Sequence, residues 1–315
     1  MIDLTNTTLD GRLQLIDYAK ATPDTLRTLI EAALHDAITA LDAIETDALP
    51  TDAAAAIALI EKFDESNVAI ERYFGALSHL NSVASTDEIR QAHHEMLPKL
   101  SDFSTRVGQS TALYQLYQLV SDQFDSLPSD YQTDAWRAAI DKQLQSFIRS
   151  GVALDDAKKA EFGDIQSKLS LLSAKFADNV MDVTRHYARP LTADELSGIS
   201  ENGLALLKAA GDAYRAAHPD AKTPTDYVAT LDVPMYLAVM QFADDASLRE
   251  ELYHAYNTRA SDQSPDTTAF DNAQVMVDIL NLRTQKAKLL GLNDYSEYSL
   301  APKMADSSDE IERFL

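Results

Sequence analysis

The sequence predicts a mostly α-helical protein, on three observations. Apolar residues recur at three- and four-residue spacing over long stretches, which is the spacing of one helix face. The 315 residues include only 9 glycines and 10 prolines, so there is little of the turn chemistry that many short strands require. Only "DYVATLDV", residues 226–233, alternates apolar and polar residues, and we expect at most one short strand region there.

The first predicted helix begins near Thr22. Thr22 is a good N-cap residue, and Pro23 suits the first helical position, where its missing N–H needs no partner. The apolar residues that follow share one face and form a predicted buried stripe: Leu26, Ile30, Ala33, Ala37, Leu41 and Ile44.

Two further stretches repeat this spacing and predict long amphipathic helices. The face of the first consists of Ile57, Ile60, Phe63, Asn67, Ile70, Phe74 and Leu77. The face of the second consists of Phe162, Ile165, Leu169, Leu172, Phe176, Val180 and Val183.

Helix boundaries are indicated by capping patterns and by one glycine. In a Ser/Thr-x-x-Glu pattern the hydroxyl accepts from a free backbone N–H while the glutamate reaches back to another. Gly151 separates two helical runs, and the length of the chain suggests two domains, so we expect a boundary near Gly151, with an N-terminal helical domain at 1–150 and a second helical segment, truncated at its C-terminus, at 151–315. The capping patterns are Ser85 with Glu88, Thr192 with Glu195, Ser247 with Glu250, and Ser307 with Glu310.

The composition argues against several classes of function. There are 50 acidic and 27 basic side chains, and the net charge of −23 repels nucleic acids and anionic membranes. Without cysteine, the chain has no disulfide, thiolate zinc site or cysteine nucleophile. The apolar run at 53–60 is too short to span a bilayer, and residues 1–14 lack the pattern of a secretory signal. We expect a cytoplasmic protein that binds neither nucleic acid nor membrane.

Two adjacent histidines in "QAHHEMLPKL" raise the question of a metallopeptidase site. A zinc helix of the HExxH kind needs histidines four residues apart, with the glutamate as general base. His93 is followed four residues later by Leu97, and His94 by Pro98, so neither has a partner ligand. Phosphate-binding glycine loops and the G-x-S-x-G nucleophile pattern are absent as well. The residues themselves therefore indicate no catalytic or metal site.

Three stretches carry a pattern that is typical of one family. They are "SGVALDDAKKAEFGDIQSKLSLLSAKFADNVMDVT" (150–184), "TLDVPMYLAVMQFADDASLREELYHAYNTRASDQ" (230–263) and "LRTQKAKLLGLNDYSEYSLAPKMA" (282–305). They resemble the M3 family of zinc oligopeptidases, the group of thimet oligopeptidase, neurolysin and bacterial oligopeptidase A. "YNTRASDQ" (256–263) is especially similar to the bacterial oligopeptidase A branch. The resemblance runs in collinear order over essentially the whole chain.

The resemblance implies a two-lobed, mostly helical ellipsoid with a deep channel that admits short peptides. In this family a zinc ion on the channel wall polarises the substrate carbonyl and lowers the pKa of its bound water. The HExxH helix and the third ligand, a glutamate, belong to a C-terminal part that this chain does not contain. We therefore expect the N-terminal half of a zinc oligopeptidase, which supplies scaffold and channel wall. Zinc is expected in the full enzyme but not in this chain, which should be inactive alone.

The resembling stretches also provide candidate channel or structural residues. Arg259 and Asp262, in "TRASDQ", are expected to hold a helix end or a contact between lobes by hydrogen bonds. Tyrosines one helical turn apart would either line the channel or pack in the core, and they form two pairs: Tyr253 with Tyr256, and Tyr295 with Tyr298.

The last predicted helix begins at Ser307 and places Ile311, Phe314 and Leu315 on one face. We interpret it as an element cut short, and we expect an exposed apolar surface that the C-terminal half or an oligomer partner covers. Two alternatives stay open. One is a stand-alone, non-catalytic, acidic helical module that binds peptides or a partner. The other is the dipeptide-releasing (dipeptidyl carboxypeptidase) branch of the same family.

Overall fold

A computed structural model of the chain describes residues 5–7, 14–220, 226–264 and 270–315. Most of these residues are helical, which confirms the predicted mostly α fold. Single 3₁₀ turns lie at Phe124–Ser126 and Asp194–Leu196. The α-helices are α1 (Pro23–Thr46), α2 (Ala53–Val83), α3 (Asp87–Gln109), α4 (Thr111–Asp122), α5 (Asp134–Arg149), α6 (Asp156–His186), α7 (Glu201–Ala217), α8 (Val233–Phe242), α9 (Ala246–Asn257), α10 (Ala273–Leu289), α11 (Tyr295–Leu300) and α12 (Ser308–Phe314).

In the same residues, short strands form two antiparallel pairs. They are β1 (Thr5–Thr7) with β2 (Gln14–Ile16), and β3 (Arg189–Pro190) with β4 (Val228–Ala229). β4 lies inside the predicted region 226–233, but the β1–β2 pair goes beyond the single strand region that we expected. Strands of two or three residues carry too little alternation for a period-2 pattern to reveal them. The expectation that residues 1–14 carry no secretory signal falls largely outside the described residues.

The contacts within the chain define two units, which we call the first unit (1–171 with 281–315) and the second unit (172–280). α6 and α10 each contain residues of both units. The domains expected at 1–150 and 151–315 stay a prediction.

The core of the first unit is built on the hairpin of α1 and α2. Thr22 caps α1 by accepting a hydrogen bond from the Thr25 amide at 3.2 Å, as predicted. The first half of α1 packs with the second half of α2 and with α3, and its second half packs with the start of α2, α4 and α5. Every residue of the predicted α1 stripe is buried: Leu26, Ile30, Ala33, Ala37, Leu41 and Ile44.

Gly151 ends α5 as the sequence predicts. Its φ of 80° is left-handed, and the Val152 amide donates to the Phe147 carbonyl at 3.1 Å, which closes the helix end. A Cβ atom at position 151 would lie 2.6 Å from Leu154 Cδ1, so a larger residue would have to displace this side chain in addition to adopting the left-handed φ.

The core of the second unit joins α7, α8 and α9 to the β3–β4 pair. Leu191, Leu207, Ala229, Val239 and Leu252 are fully buried in it. The second unit therefore has an apolar core of its own.

The predicted N-cap residue is correct at one α-helix, and at two others it lies one or two residues away from the observed cap. Ser307 caps α12, but Thr86 rather than Ser85 caps α3. Asp245 rather than Ser247 caps α9. The Thr192 pattern marks a 3₁₀ turn, where the Glu195 carboxylate accepts from the Thr192 amide at 2.6 Å. Adjacent polar residues are nearly equal N-caps, so the pattern leaves the choice between them to tertiary packing.

Within the described residues, no helix is long and apolar enough to cross a membrane.

Candidate functional site

Three side chains of the second unit form a stack, which we call the tyrosine–arginine stack: Tyr236 on α8, Tyr256 on α9, and Arg259. The two tyrosine rings are parallel within 15°, with centroids 4.0 Å apart. The Arg259 guanidinium carbon lies 3.7 Å from the centroid of the Tyr256 ring, in cation–π geometry. One tyrosine is thus held between a second ring and a cation.

The packing of α9 explains why only one tyrosine of the predicted pair joins this stack. α9 buries Leu248, Leu252 and Ala255, which share one face. At about 100° of rotation per residue, Tyr256 lies close to that face and Tyr253 lies well away from it. Tyr256 is accordingly half-buried, whereas Tyr253 is 57% exposed.

Arg259 also closes the C-terminal end of α9. Its Nε–H donates to the Tyr256 carbonyl at 2.8 Å, and its Nη1 donates to Thr184 Oγ1 at 3.3 Å. The Tyr256 carbonyl belongs to the last turn of α9, where the helix itself supplies no donor. Asp262 lies in the exposed turn that follows. The role of Arg259 and Asp262 in the full enzyme stays a prediction.

Asn272, which sequence reasoning missed, connects this region to α6. It is buried, its Nδ2 donates to the Phe176 carbonyl at 3.0 Å, and its Oδ1 accepts from Asn179 Nδ2 at 2.8 Å. The Asn272 amide donates to the carbonyl of Ala260 at 2.9 Å. The only signal in the sequence is an asparagine directly before a helical run, which indicates a helix start and not a buried amide.

A second group, the tyrosine–lysine cluster, lies in the first unit and consists of Arg283, Lys286, Tyr295 and Tyr298. Asp294 caps α11 by accepting from the Ser296 amide at 2.8 Å. Tyr295 and Tyr298 lie three residues apart on this helix and therefore share one side of it. Their ring centroids are 5.4 Å apart. The Arg283 guanidinium carbon lies 4.9 Å from the Tyr295 centroid, and Lys286 Nζ lies 4.1 Å from the Tyr298 centroid.

Lys286 is the residue of this cluster that the sequence did not reveal. It is only 4% exposed, its Nζ donates to Gln166 Oε1 at 2.6 Å, and the Phe162 ring centroid is 5.0 Å away. Burial, with a smaller effect from the charge of Arg149, lowers the pKa of Lys286 to about 8. Burial also raises the pKa of Tyr298. In "RTQKAKLL" a lysine would ordinarily be expected at the surface.

Both groups order helices through rings, cations and hydrogen bonds. In the described structure, neither contains a histidine or a carboxylate hydrogen-bonded to one of its tyrosines or to the lysine. The assignment of Tyr253, Tyr256, Tyr295 and Tyr298 to a channel wall stays a prediction.

The adjacent histidines lie on α3 among helix-packing contacts. The His93 ring stacks on Phe74 with centroids 5.4 Å apart, and Glu95 pairs with Arg27 Nε at 2.8 Å. Across the described ranges, no group of three or more histidine, aspartate or glutamate side chains could hold a metal ion. The zinc expected of the full enzyme thus does not fit any set of ligands in this part of the chain.

Comparisons with known proteins identify the family. Residues 30–159 match the N-terminal domain of neurolysin and thimet oligopeptidase, and residues 239–315 match peptidase family M3. Oligopeptidase A from Salmonella typhimurium and from Escherichia coli are each 39% identical over 260 residues, which is 82% of this chain and 36% of each relative. A probable cytosolic oligopeptidase A from Arabidopsis thaliana is 36% identical over 259 residues, which is 80% of this chain and 35% of the relative.

The chain therefore spans little more than a third of the length of these relatives, since the matches cover 35% to 36% of them. The two matched regions follow the order of the chain, and they confirm the resemblance that the sequence motifs indicated. The chain belongs to peptidase family M3, and its residues 30–159 correspond to the N-terminal domain shared with neurolysin and thimet oligopeptidase.

Proposed function

We propose that this chain is the N-terminal part of a zinc-dependent oligopeptidase that hydrolyses short peptides. The observation that carries the proposal is the 39% identity to oligopeptidase A over 82% of the chain. Its function is to form scaffold and channel wall, with residues 1–150 in one lobe and 151–315 opening the second. The name of the Arabidopsis thaliana relative supports a cytoplasmic location.

We further propose that the 315 residues alone do not hydrolyse peptides. An M3 zinc ion needs two histidines one turn apart and a third ligand, and the described residues offer no such group. Zinc, when bound in the full enzyme, would polarise the scissile carbonyl and activate a water molecule. This chain's own residues would position helices around the peptide.

Exposed apolar side chains of the second unit support contact with further protein. Val233 and Leu237 lie one turn apart on α8, and Met276 and Leu280 lie one turn apart on α10. Apolar side chains exposed at this spacing are typical of surfaces that another element covers. The C-terminal part of the enzyme is the proposed partner, and an oligomer partner is the alternative.

A complementation experiment tests this function. The chain would be expressed alone, and together with the part of E. coli oligopeptidase A that lies beyond the matched region. Hydrolysis of an internally quenched peptide would be measured with added zinc. We expect no hydrolysis by either part alone and chelator-sensitive hydrolysis by the mixture. Zinc-dependent hydrolysis by the 315-residue chain alone would contradict the proposal.

A stand-alone acidic module that binds peptides or a partner is the second candidate function. The net charge of −23 favours it, because such a field attracts basic peptides. Sequencing the gene beyond the codon for Leu315 separates the two. A frame that continues into an HExxH helix supports the enzyme, and the residues in that part would also separate the endopeptidase from the dipeptide-releasing branch.

A further inference from the structure

A cavity of about 660 Å³ opens in the first unit among α2, α3, α4 and α5. Its volume falls within the range of about 300–1,000 Å³ that is usual for small-ligand sites. Much of its lining is aromatic or aliphatic and includes Phe63, Ile70, Phe74, Leu100, Phe103 and Phe147.

The lining also contains two carboxylates and several polar side chains. Asp64 and Glu71 lie on α2 two turns apart, with Asn67 between them, and Tyr117 and Gln143 contribute further polar groups to the lining. In the described structure the lining contains no lysine or arginine, and neither carboxylate forms an ion pair. The cavity thus presents two uncompensated negative charges beside an apolar surface.

The electrostatics of the cavity favour a positive occupant. Partial burial, and then the charges of Glu71 and Glu61, raise the pKa of Asp64, so the ionised form of this carboxylate is disfavoured. Burial and the charge of Asp64 raise the pKa of Tyr117. Both carboxylates still reach solvent, which leaves a path for a ligand to enter. A cation bound between them would relieve their mutual repulsion.

We propose that this cavity binds an organic cation attached to an apolar body. The ammonium or guanidinium group would lie between Asp64 and Glu71, and the apolar body would pack against the phenylalanines. A short peptide with arginine beside an aromatic residue has this chemistry, and so does a free arylalkylamine. Binding here requires neither zinc nor hydrolysis, so the proposal goes beyond the proposed function.

Calorimetric titration of the 315-residue chain tests the charge requirement. The probes are acetyl-Phe-Arg-amide, its neutral isostere acetyl-Phe-citrulline-amide, and phenethylamine. We expect the arginine peptide to bind about tenfold more tightly than the citrulline peptide, since only the guanidinium can pair with the carboxylates. Binding of phenethylamine at similar affinity would identify a free amine as sufficient, and its failure would identify a peptide as the occupant. Equal binding of the two peptides, or no binding of any probe, would overturn the proposal.

Variants locate the site. Asp64→Asn and Glu71→Gln remove one charge each at nearly constant volume. Each should weaken the binding of the arginine peptide about tenfold. Glu65→Gln is the matched control, because Glu65 is an exposed carboxylate on α2 like Asp64 and Glu71 but does not line the cavity. Its effect should stay within about twofold. If Asp64→Asn does not fold, Glu71→Gln gives an independent test. A Glu65→Gln effect as large as that of Glu71→Gln would show a nonspecific charge effect and reject the site.

Discussion

The tyrosine–arginine stack and the tyrosine–lysine cluster both place a cation over a tyrosine ring, but the two cations differ in burial and in hydrogen-bond partners. In the second unit Arg259 lies over the Tyr256 ring and donates to a helix-terminal carbonyl that lacks a donor. In the first unit Lys286 lies over the Tyr298 ring but is only 4% exposed, with one hydrogen bond to Gln166. Arg259 thus supplies a hydrogen-bond donor to the backbone, whereas Lys286 loses most of its hydration.

This difference shows that a cation over an aromatic ring can either stabilise or destabilise the folded state. Guanidinium is weakly hydrated and spreads its donors over a plane, so it pairs with a ring and a carbonyl at small desolvation cost. The ammonium group is a compact, strongly hydrated charge, and burial disfavours its charged form. We therefore expect removal of the two cations to change stability in opposite directions.

The largest effect is expected from Lys286→Met. The pKa of Lys286 is lowered from 10.5 to about 8, which corresponds to roughly 3 kcal/mol against the charged form in the folded state. The lost hydrogen bond to Gln166 offsets about 1 kcal/mol of this. We expect Lys286→Met to raise the unfolding free energy by about 2 kcal/mol at pH 7, measured by urea denaturation.

The pH dependence provides the control for this variant. Because the folded-state pKa of Lys286 is lowered, the folded chain binds fewer protons than the unfolded chain between pH 8 and 10.5. The penalty is full below pH 8 and disappears as the pH rises to 10.5, so the advantage of Lys286→Met should shrink over that range. An advantage that stays constant with pH would indicate improved packing and not the lost charge.

Arg259→Met should have the opposite sign. It removes the donor to the Tyr256 carbonyl and the cation over the Tyr256 ring, and we expect a loss of about 1–2 kcal/mol. Urea denaturation of the variant and of the wild-type chain measures this change in unfolding free energy. Arg259→Lys is an informative companion, because an ammonium group cannot bond Tyr256 and Thr184 in the same planar geometry. If Arg259→Met left the unfolding free energy unchanged or raised it, the predicted contrast between the two groups would be wrong.

The smallest effects concern the tyrosines of α9. Tyr256→Leu removes the ring that lies between Tyr236 and Arg259, and it should cost about 1 kcal/mol. Tyr253→Leu is the matched control at an exposed position of the same helix, and we expect a change within about 0.5 kcal/mol. Equal losses in the two variants would mean that the stack contributes nothing beyond ordinary helix packing.

Local features of the fold could be predicted from the sequence. The cap at Thr22, the buried stripe of α1 and the helix end at Gly151 depend on neighbouring residues, and all three were confirmed. Periodicity was less reliable along α6, where Phe162 and Val183 are buried but Phe176, on the same predicted face, is partly exposed. A long helix can change packing partners along its length, and its sequence period does not record where.

The candidate sites depend on residues far apart in the chain, and here the sequence was insufficient. Lys286 is buried by Phe162 and Tyr298, and Gln166 precedes it by 120 residues. The acidic cavity likewise draws its lining from four helices. The sequence singled out the tyrosine pairs as channel or core candidates, but their spacing could not tell that Tyr253 faces solvent while Tyr256 is stacked.

The zinc content of the purified chain tests the central claim most directly. The 315-residue protein would be incubated with zinc, desalted, and analysed by inductively coupled plasma mass spectrometry. E. coli oligopeptidase A, treated in the same way, is the reference. We predict one zinc per molecule in the relative and a substoichiometric amount in this chain, because its described residues bring no three ligands together. One zinc per chain that survives desalting would contradict the assignment as a non-catalytic N-terminal part.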